Sequence, residues 1–474
     1  MSMAKTHNVL IVLIFLLLPV PAFNLSMCQS HYTYYGYVPG RIWEARPVKG
    51  WLSGAPLGNE WRIVSTTISD FAYLMIVACE DGTRLTVYRL PDREVLKTAS
   101  LKMMDKLFVK LRNGTFFKVV SNKPLSVTLI GGKIGGRDLD PKSTFSFVPN
   151  SFYTSVNGDF VGREFIFIAS QELVGTPYRI VALESAEIII KDENNSIIHK
   201  FRMTPGQFKD LSFKAFHAYR IISTGNIVLH TTHGGCLPSI VNGGYAGKCF
   251  ISPSTTHWWP SRERSPNSFQ LMALEETRVR IYDLELQKKI GEFKIPSCGS
   301  IKVKPPAKEI LIQSEKPISV MYVSNDGTYG YGGDMTFMRI EAGETSLIYI
   351  PTKPLIQKAF LFALKDTIVT IDDVTFKLDA DDILSIPPGL HRITSSSNVL
   401  IQIIYWSGHV SFQGLSHFAA IIPAVETTHT KYKVDISAIL KQDSSPSMHI
   451  AYLIAITTAI LVAITFYLLE RRRR

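Results

Sequence analysis

Val77-Ala78-Cys79-Glu80-Asp81 runs into Arg84-Leu85-Thr86-Val87-Tyr88. A small residue on a strand, an acidic turn and a run rich in β-branched residues predict two strands joined tightly. The string returns as Val181-Ala182-Leu183-Glu184-Ser185, Met272-Ala273-Leu274-Glu275-Glu276 and Phe362-Ala363-Leu364-Lys365-Asp366, with alanines spaced by 104, 91 and 90 residues. A period of this kind is the signature of a repeat architecture.

A second landmark follows each alanine. It reads Ser121-Asn122-Lys123-Pro124-Leu125-Ser126-Val127, then Ser223-Thr224-Gly225-Asn226-Ile227-Val228, then Ser314-Glu315-Lys316-Pro317-Ile318-Ser319-Val320. The fourth copy, Ser396-Ser397-Asn398-Val399-Leu400-Ile401, keeps the order. Proline fixes φ and lacks a backbone donor, so it marks a turn between two strands. No window before residue 449 holds a long 3.6-residue apolar period. The expectation is an all-β chain of four tandem repeats of about 90 residues, near 60–160, 161–255, 256–345 and 346–430. About 40–50 residues suffice for a propeller blade, so sandwich-like units are preferred and a closed propeller-like ring is the alternative.

The ends place the chain at a membrane. Lys5, an apolar run from Val9 to Leu18 and Ala22 describe a signal peptide over 1–22. Residues 23–59 form an N-terminal extension. Ile450 to Leu469 carries no charge, Pro or Gly, and about 20 helical residues cross a bilayer. A transmembrane helix is therefore expected over 449–469. Residues 431–448 would link to it, with a short helix near Lys431–Leu440, and 470–474 form a cytoplasmic tail. Arg471 to Arg474 follow the span, and arginines there favour the cytoplasmic side. The localisation expected is the cell membrane, single-pass, with the body outside.

The formal charge is +11, and Lys5 with the terminal arginines carries part of that excess. The rest is scattered, with no basic run interleaved with aromatics of the kind that binds nucleic acid. Cys236 and Cys249 flank a Gly-rich loop, and a disulfide there would contribute roughly 3 kcal/mol in the chain-entropy model. Cys79 with Cys298 is a second candidate pair. Asn24-Leu25-Ser26, Asn113-Gly114-Thr115 and Asn194-Asn195-Ser196 are glycosylation sequons.

These landmarks resemble the repeated N-terminal region of the IgGFc-binding protein family. Ala78-Cys79-Glu80-Asp81-Gly82-Thr83 is similar to its first string, and the two Lys-Pro landmarks to its second. Gly332-Gly333-Asp334 with Ile350-Pro351 resembles a third. The likeness covers roughly 60–425. It implies an extracellular β-repeat region with a binding or structural role, and no carry-over of immunoglobulin binding. The second copy lacks Lys-Pro, and Lys365 stands where the family has Glu.

Chemistry-bearing candidates are few. His230-Thr231-Thr232-His233 with His257 is a metal candidate, but on a strand the two histidines fall on opposite faces. Asp138, Asp140 and Gly330-Tyr331-Gly332-Gly333-Asp334 sit in Gly/Asp loops, which read as turns before they read as Ca²⁺ sites. Neither a catalytic motif nor a cofactor fingerprint is present. Trp258 and Trp259 in His257-Trp258-Trp259-Pro260 are the candidate binding surface, since aromatics anchor many interfaces. The function expected is a membrane-anchored, noncatalytic surface protein that binds an extracellular protein or glycan or contributes to a surface layer, with self-association open. A glycan-directed ectoenzyme is the rival, and it would need convergent carboxylates.

Overall fold

The computed structural model describes residues 32–38, 44–47, 61–62, 71–131, 145–146, 152–169, 178–214, 216–231, 245–254, 268–324, 333–350, 356–406, 418–427, 432–440 and 457. All of these belong to the compact unit Tyr32–Arg474. The described residues are mostly β-strand, with almost no helix. Among them, no helix is long and apolar enough to cross a membrane. The expected signal peptide and nearly all of the expected span lie outside the described residues.

The stretch from residue 333 to 406 shows the plan most fully. Its strands are β1 (Gly333–Ile340), β2 (Thr345–Ile350), β3 (Ile356–Ala363) and β4 (Thr367–Ile371). They continue with β5 (Val374–Leu378), β6 (Ile383–Ile386), β7 (Gly389–Ser395) and β8 (Val399–Trp406). Every pairing is antiparallel, in two sheets ordered β1-β8-β3-β6 and β2-β7-β4-β5. That is the strand order of an eight-stranded jelly roll.

The same pairings occur three more times among the described residues. The strands in the β3 place are Phe71–Ala78, Tyr178–Ala182 and Ser268–Ala273. Each pairs with its β6 and β8 counterparts, while the β4 counterpart pairs with β5 and β7 counterparts. In two sandwiches the β7 and β8 places are filled by one continuous strand, Ala218–Thr231 or Glu309–Ser324, which serves both sheets in turn. The inward residues of both sheets form one core, as with Leu74, Ile76, Val127, Leu85, Val87, Phe117 and Val119 in the first. Alternation along a half-buried strand produces such a core.

The landmarks now have physical roles. Ala78, Ala182, Ala273 and Ala363 are fully buried at the ends of the β3 strands. At three of them the carbonyl accepts from the following β5–β6 turn: Met104 N to Ala78, Gly206 N to Ala182 and Asp381 N to Ala363. Ser121, Ser223, Ser314 and Ser395 stand opposite Leu85, Ile188, Val279 and Val369. The fourth landmark serine is thus Ser395, one residue before the Ser396 expected from the string. Register decides this, because a one-residue slip turns every side chain to the other face.

Strands also come from outside the expected repeat bounds. Tyr32–Tyr37, assigned by sequence to the extension, takes the β2 place of the first sandwich against Phe116–Ser121. Phe418–Ile422, beyond the fourth sandwich, takes the β1 place of the third by pairing with Val320 to Ser324. Glu426–Thr427 then pairs with the strand Gly247–Pro253 of that sandwich. The expected linker is equally engaged. Helix α1 (Ile436–Ile439) is capped by Asp435, and Ile439 is fully buried. Gly206, at φ +78°, lies so close that a Cβ would overlap the Ile439 carbonyl.

Cys79 and Cys298 are both free: Cys79 is buried and Cys298 is exposed in a turn. The second candidate disulfide is therefore absent. Cys249 is also free and buried, so the structure does not form the expected bridge; Cys236 lies outside the described residues. Burial pushes the Cys79 thiol up to about 12, with help from Glu164, and raises Cys249 further. Neither is a ready nucleophile, since the thiolate is the reactive form.

Candidate functional site

Contacts between sandwiches run from first to second, second to third, third to fourth, and fourth back to first. In the first pair, Met75, Val77 and Cys79 meet Ile166, Ile168 and Ala218. In the third pair, strand β2 lies against Ser268–Ala273 and Glu309–Ser324. The first pair is also tied by Lys106, which meets the Glu193 carboxylate that His217 shares, and the most buried ionic groups among the described residues lie at the second-to-third and fourth-to-first contacts.

Between the second and third sandwiches, Arg179 sits mid-sheet with Asp210 opposite on one side and His230 on the other. Its inward neighbours Tyr178 and Ile180 belong to the sandwich core, so alternation turns Arg179 outward. There Nε and Nη2 donate to Asp210 at 2.6 and 2.8 Å, and Nη1 donates to Glu309 Oε2 at 2.9 Å. His230 Nε2 lies 2.8 Å from Glu309 Oε1, and its Nδ1 lies 3.0 Å from the Thr231 carbonyl. Both ring nitrogens thus face acceptors. Burial opposes the Arg179 charge, but Asp210 and Glu309 outweigh it and raise its pKa above the usual range. Arg179 is 2 % exposed and Glu309 and His230 are 0 %. Glu309 and His230 are sealed from solvent, and the cluster fastens one sandwich to the next.

Between the fourth and first sandwiches, Gln402 Oε1 accepts from Tyr37 N and Gln402 Nε2 donates to Tyr37 O. The amide side chain extends the sheet in place of a backbone. Tyr37, Phe116, Phe360 and Phe362 pack ring to ring with centroids 4.6 to 6.1 Å apart. Asp381 receives Tyr35 Oη and Lys118 Nζ, both at 2.6 Å, and Arg93 Nη2 at 2.8 Å. Burial alone would raise the Asp381 carboxyl, but those hydrogen bonds and cations hold it below its usual range. Its contribution is therefore complete above an unfolded value of about 4 and disappears as pH falls through the lowered folded value. Asp381→Asn is expected to cost about 2–3 kcal/mol at neutral pH. It should also flatten the acid limb of the stability–pH curve measured by chemical denaturation below pH 4. An unchanged acid limb would place the acid-sensitive group elsewhere.

His230 is thus brought to a buried carboxylate, Glu309, that the sequence reading passed over. The available signal was the charge itself: Arg179 stands in an apolar strand where the other copies have Met75, Gln270 and Phe360. Trp258, Trp259, Cys236, His233, His257, Asp138, Asp140 and Gly330 lie outside the described residues. Among the described residues, no three His, Cys, Asp or Glu are grouped to hold a metal ion.

Strand register separates the two ends of each sandwich. At one end Phe71 pairs with Arg112, Ala72 with Gly131 and Tyr37 with Phe116. The fourth sandwich repeats this, with Ile356 and Gly333 opposite Trp406 and Ile350 opposite Gly389. At this end the strands in the β2 places stop and those in the β3 places start, at Tyr37 and Phe71, Ile168 and Tyr178, Pro253 and Ser268, and Ile350 and Ile356. The strands in the β8 places also finish there, at Gly131, Thr231, Ser324 and Trp406. The opposite end carries the acidic landmark turns and the Ser121–Pro124 turn; the expected turns at Ser223–Asn226 and Ser314–Pro317 are instead parts of continuous strands that pass from one sheet to the other.

No family model matches the chain, and no curated protein matches it. Among solved structures, AerE from Microcystis aeruginosa aligns at TM-score 0.13 and 14 % identity, over 35 % of this chain and 84 % of that one. A mutant of Bacillus subtilis oxalate decarboxylase OxdC aligns at TM-score 0.15 and 10 % identity, over 60 % of this chain and 70 % of that one.

Proposed function

We propose that the chain is a membrane-anchored surface protein of four tandem jelly-roll copies that binds an extracellular protein or glycan without catalysis. The observation that carries this is the separation of the two ends in every copy. One end carries the landmark turns, and the strands that bound segment 255–267 stop at the other. Loops on a rigid β scaffold are where recognition concentrates. Segment 255–267, with Trp258 and Trp259, is one of these connections, and the Gly/Asp segments after the β8 places are others. The resemblance to IgGFc-binding repeats supports an extracellular setting, and residues 449–469 supply the anchor.

The test is full-length protein in lipid nanodiscs, screened against glycans and cell-surface proteins. A ligand should be found whose affinity drops at least about tenfold in Trp258→Ala or Trp259→Ala, the scale of an aromatic hot spot. Binding that survives both substitutions would remove the aromatic segment from the reading. Concentration-dependent self-assembly with no ligand would instead favour a surface-layer role.

A further inference from the structure

Each copy carries an exposed aliphatic side chain at or just after the turn of its β4–β5 hairpin. In three of the copies an exposed carboxylate comes directly before it: Glu94 before Val95, Glu285 before Leu286 and Asp373 before Val374. Charge beside an apolar sheet edge guards against pairing with another chain. The second copy lacks that guard. Its hairpin joins Ala186–Asp192 to Ile197–Met203, and the uncharged Ser196 stands where the carboxylate does elsewhere. Ile197 behind it is 59 % exposed, and Ile198 is exposed as well. Among the described residues, Ile197–Met203 pairs along one side only, so its outer edge is open.

The turn of this hairpin is the sequon Asn194-Asn195-Ser196. Asp192 Oδ1 accepts from Asn194 N and from Ser196 N, both at 2.9 Å, and Asn195 N donates to the Asp192 carbonyl at 3.0 Å. Asn195 sits at φ +62°, and its Oδ1 accepts from Lys191 Nζ at 3.0 Å. These bonds hold the backbone and leave Asn194 and Ser196 exposed. Among the described residues, neither the Asn194 amide nor the Ser196 hydroxyl bonds to another group. The sequon at Asn113 is placed differently. The Asn113 side-chain oxygen is buried, and its turn is held against Val38. Gly114 N donates to the Val38 carbonyl at 2.8 Å, and Val38 N donates to the Thr115 carbonyl at 2.9 Å. Burial of that half of the amide leaves little room for a sugar. Asn24 lies outside the described residues.

We infer that Asn194 carries an N-linked glycan that covers the apolar edge of the second copy, and that Asn113 stays bare. Asn-x-Ser/Thr is the acceptor sequence, and the glycan it takes is bulky and solubilising. The donor is an oligosaccharide linked to a polyprenyl diphosphate. Asn194 Nδ2 forms a bond to C1 of its first sugar, and the bond from C1 to the diphosphate oxygen breaks. The polyprenyl diphosphate leaves with that electron pair, and the Nδ2 proton passes to a base of the transferase. Chains meet this donor only in a secretory compartment, so the inference rests on the extracellular reading proposed above. The glycan then does for Ile197 and Ile198 what a carboxylate does in the other copies.

The test expresses the full-length chain in a eukaryotic cell and reads each sequon by site-resolved glycopeptide mass spectrometry, with surface biotinylation on the same cells. Asn194 should be occupied in most molecules and Asn113 in few. Enzymatic removal of N-glycans should increase electrophoretic mobility. Asn194→Gln and Ser196→Ala should each lose one glycan's share of that shift, and Ser196→Thr should keep it. Asn194→Gln should also raise the fluorescence of a hydrophobic dye, and Ile197→Ser added to it should reverse the rise. A bare Asn194 on a chain that biotin reaches at the surface would overturn the inference and leave the surface reading standing. A bare Asn194 on a chain kept in the cytosol would overturn both. Equal occupancy of Asn113 would overturn the selection between the two sequons, and unchanged dye fluorescence in Asn194→Gln would overturn the covering role.

Discussion

Glu309→Ala is expected to destabilise the protein by about 3–5 kcal/mol, the cost of breaking a buried ion pair from one side. The carboxylate is fully buried and accepts from Arg179 and from the His230 ring. Its removal leaves Arg179 with Asp210 alone and puts the His230 ring against a void. Urea denaturation and limited proteolysis of the full-length protein read the effect, with early cleavage expected between the second and third sandwiches. The double variant Arg179→Met, Glu309→Leu should recover much of the loss, because well-packed apolar residues replace a buried pair at little cost. A double variant no more stable than Glu309→Ala would show that the charges matter for more than their own pairing. A Glu309→Ala protein within about 1 kcal/mol of wild type would mean that water reaches the site.

Phe362→Ala should cost about 3–5 kcal/mol, the range for deleting a buried aromatic ring. Phe362 is fully buried and meets Tyr35 and Phe116 from the first sandwich at 5.8 and 6.1 Å. It therefore belongs to the contact that joins the last sandwich to the first. Val95→Ala is the comparison: Val95 is 56 % exposed, so it should change stability by less than about 0.5 kcal/mol. Hydrogen exchange distinguishes a local from a closing role. Loss of the ring should lower protection in Tyr32–Tyr37 as well as in β3, although more than 300 residues separate them in sequence. Protection lost in β3 alone would confine the effect to the fourth sandwich.

Much of the candidate site was illegible for a related reason. His230 was visible as a histidine on a strand after the second landmark, and the strand placement is correct. What it faces lies 79 residues on, in a different copy, and no spacing rule connects them. Arg179 was marked only by being charged in an apolar string. Asp381 carries no sequence signal of its own, because its three partners, Tyr35, Lys118 and Arg93, come from the first sandwich. The fourth serine landmark slipped by one because Ser395, Ser396 and Ser397 are chemically alike, and only pairing with Val369 selects the first of them.

The sequence by itself determined the local layer of this protein. Two-residue alternation, β-branched runs and acidic turns act over a few residues. They placed many of the strands and the buried alanines. Tertiary structure alone decided which copy touches which. It set the jelly-roll order of the sheets, lent Phe418–Ile422 to the third sandwich, seated Tyr32–Tyr37 in the first and joined the fourth to it through Asp381 and Gln402. Such contacts join surfaces hundreds of residues apart, and they form only where shape, charge and hydrogen bonding agree on both sides at once. No local pattern carries that agreement.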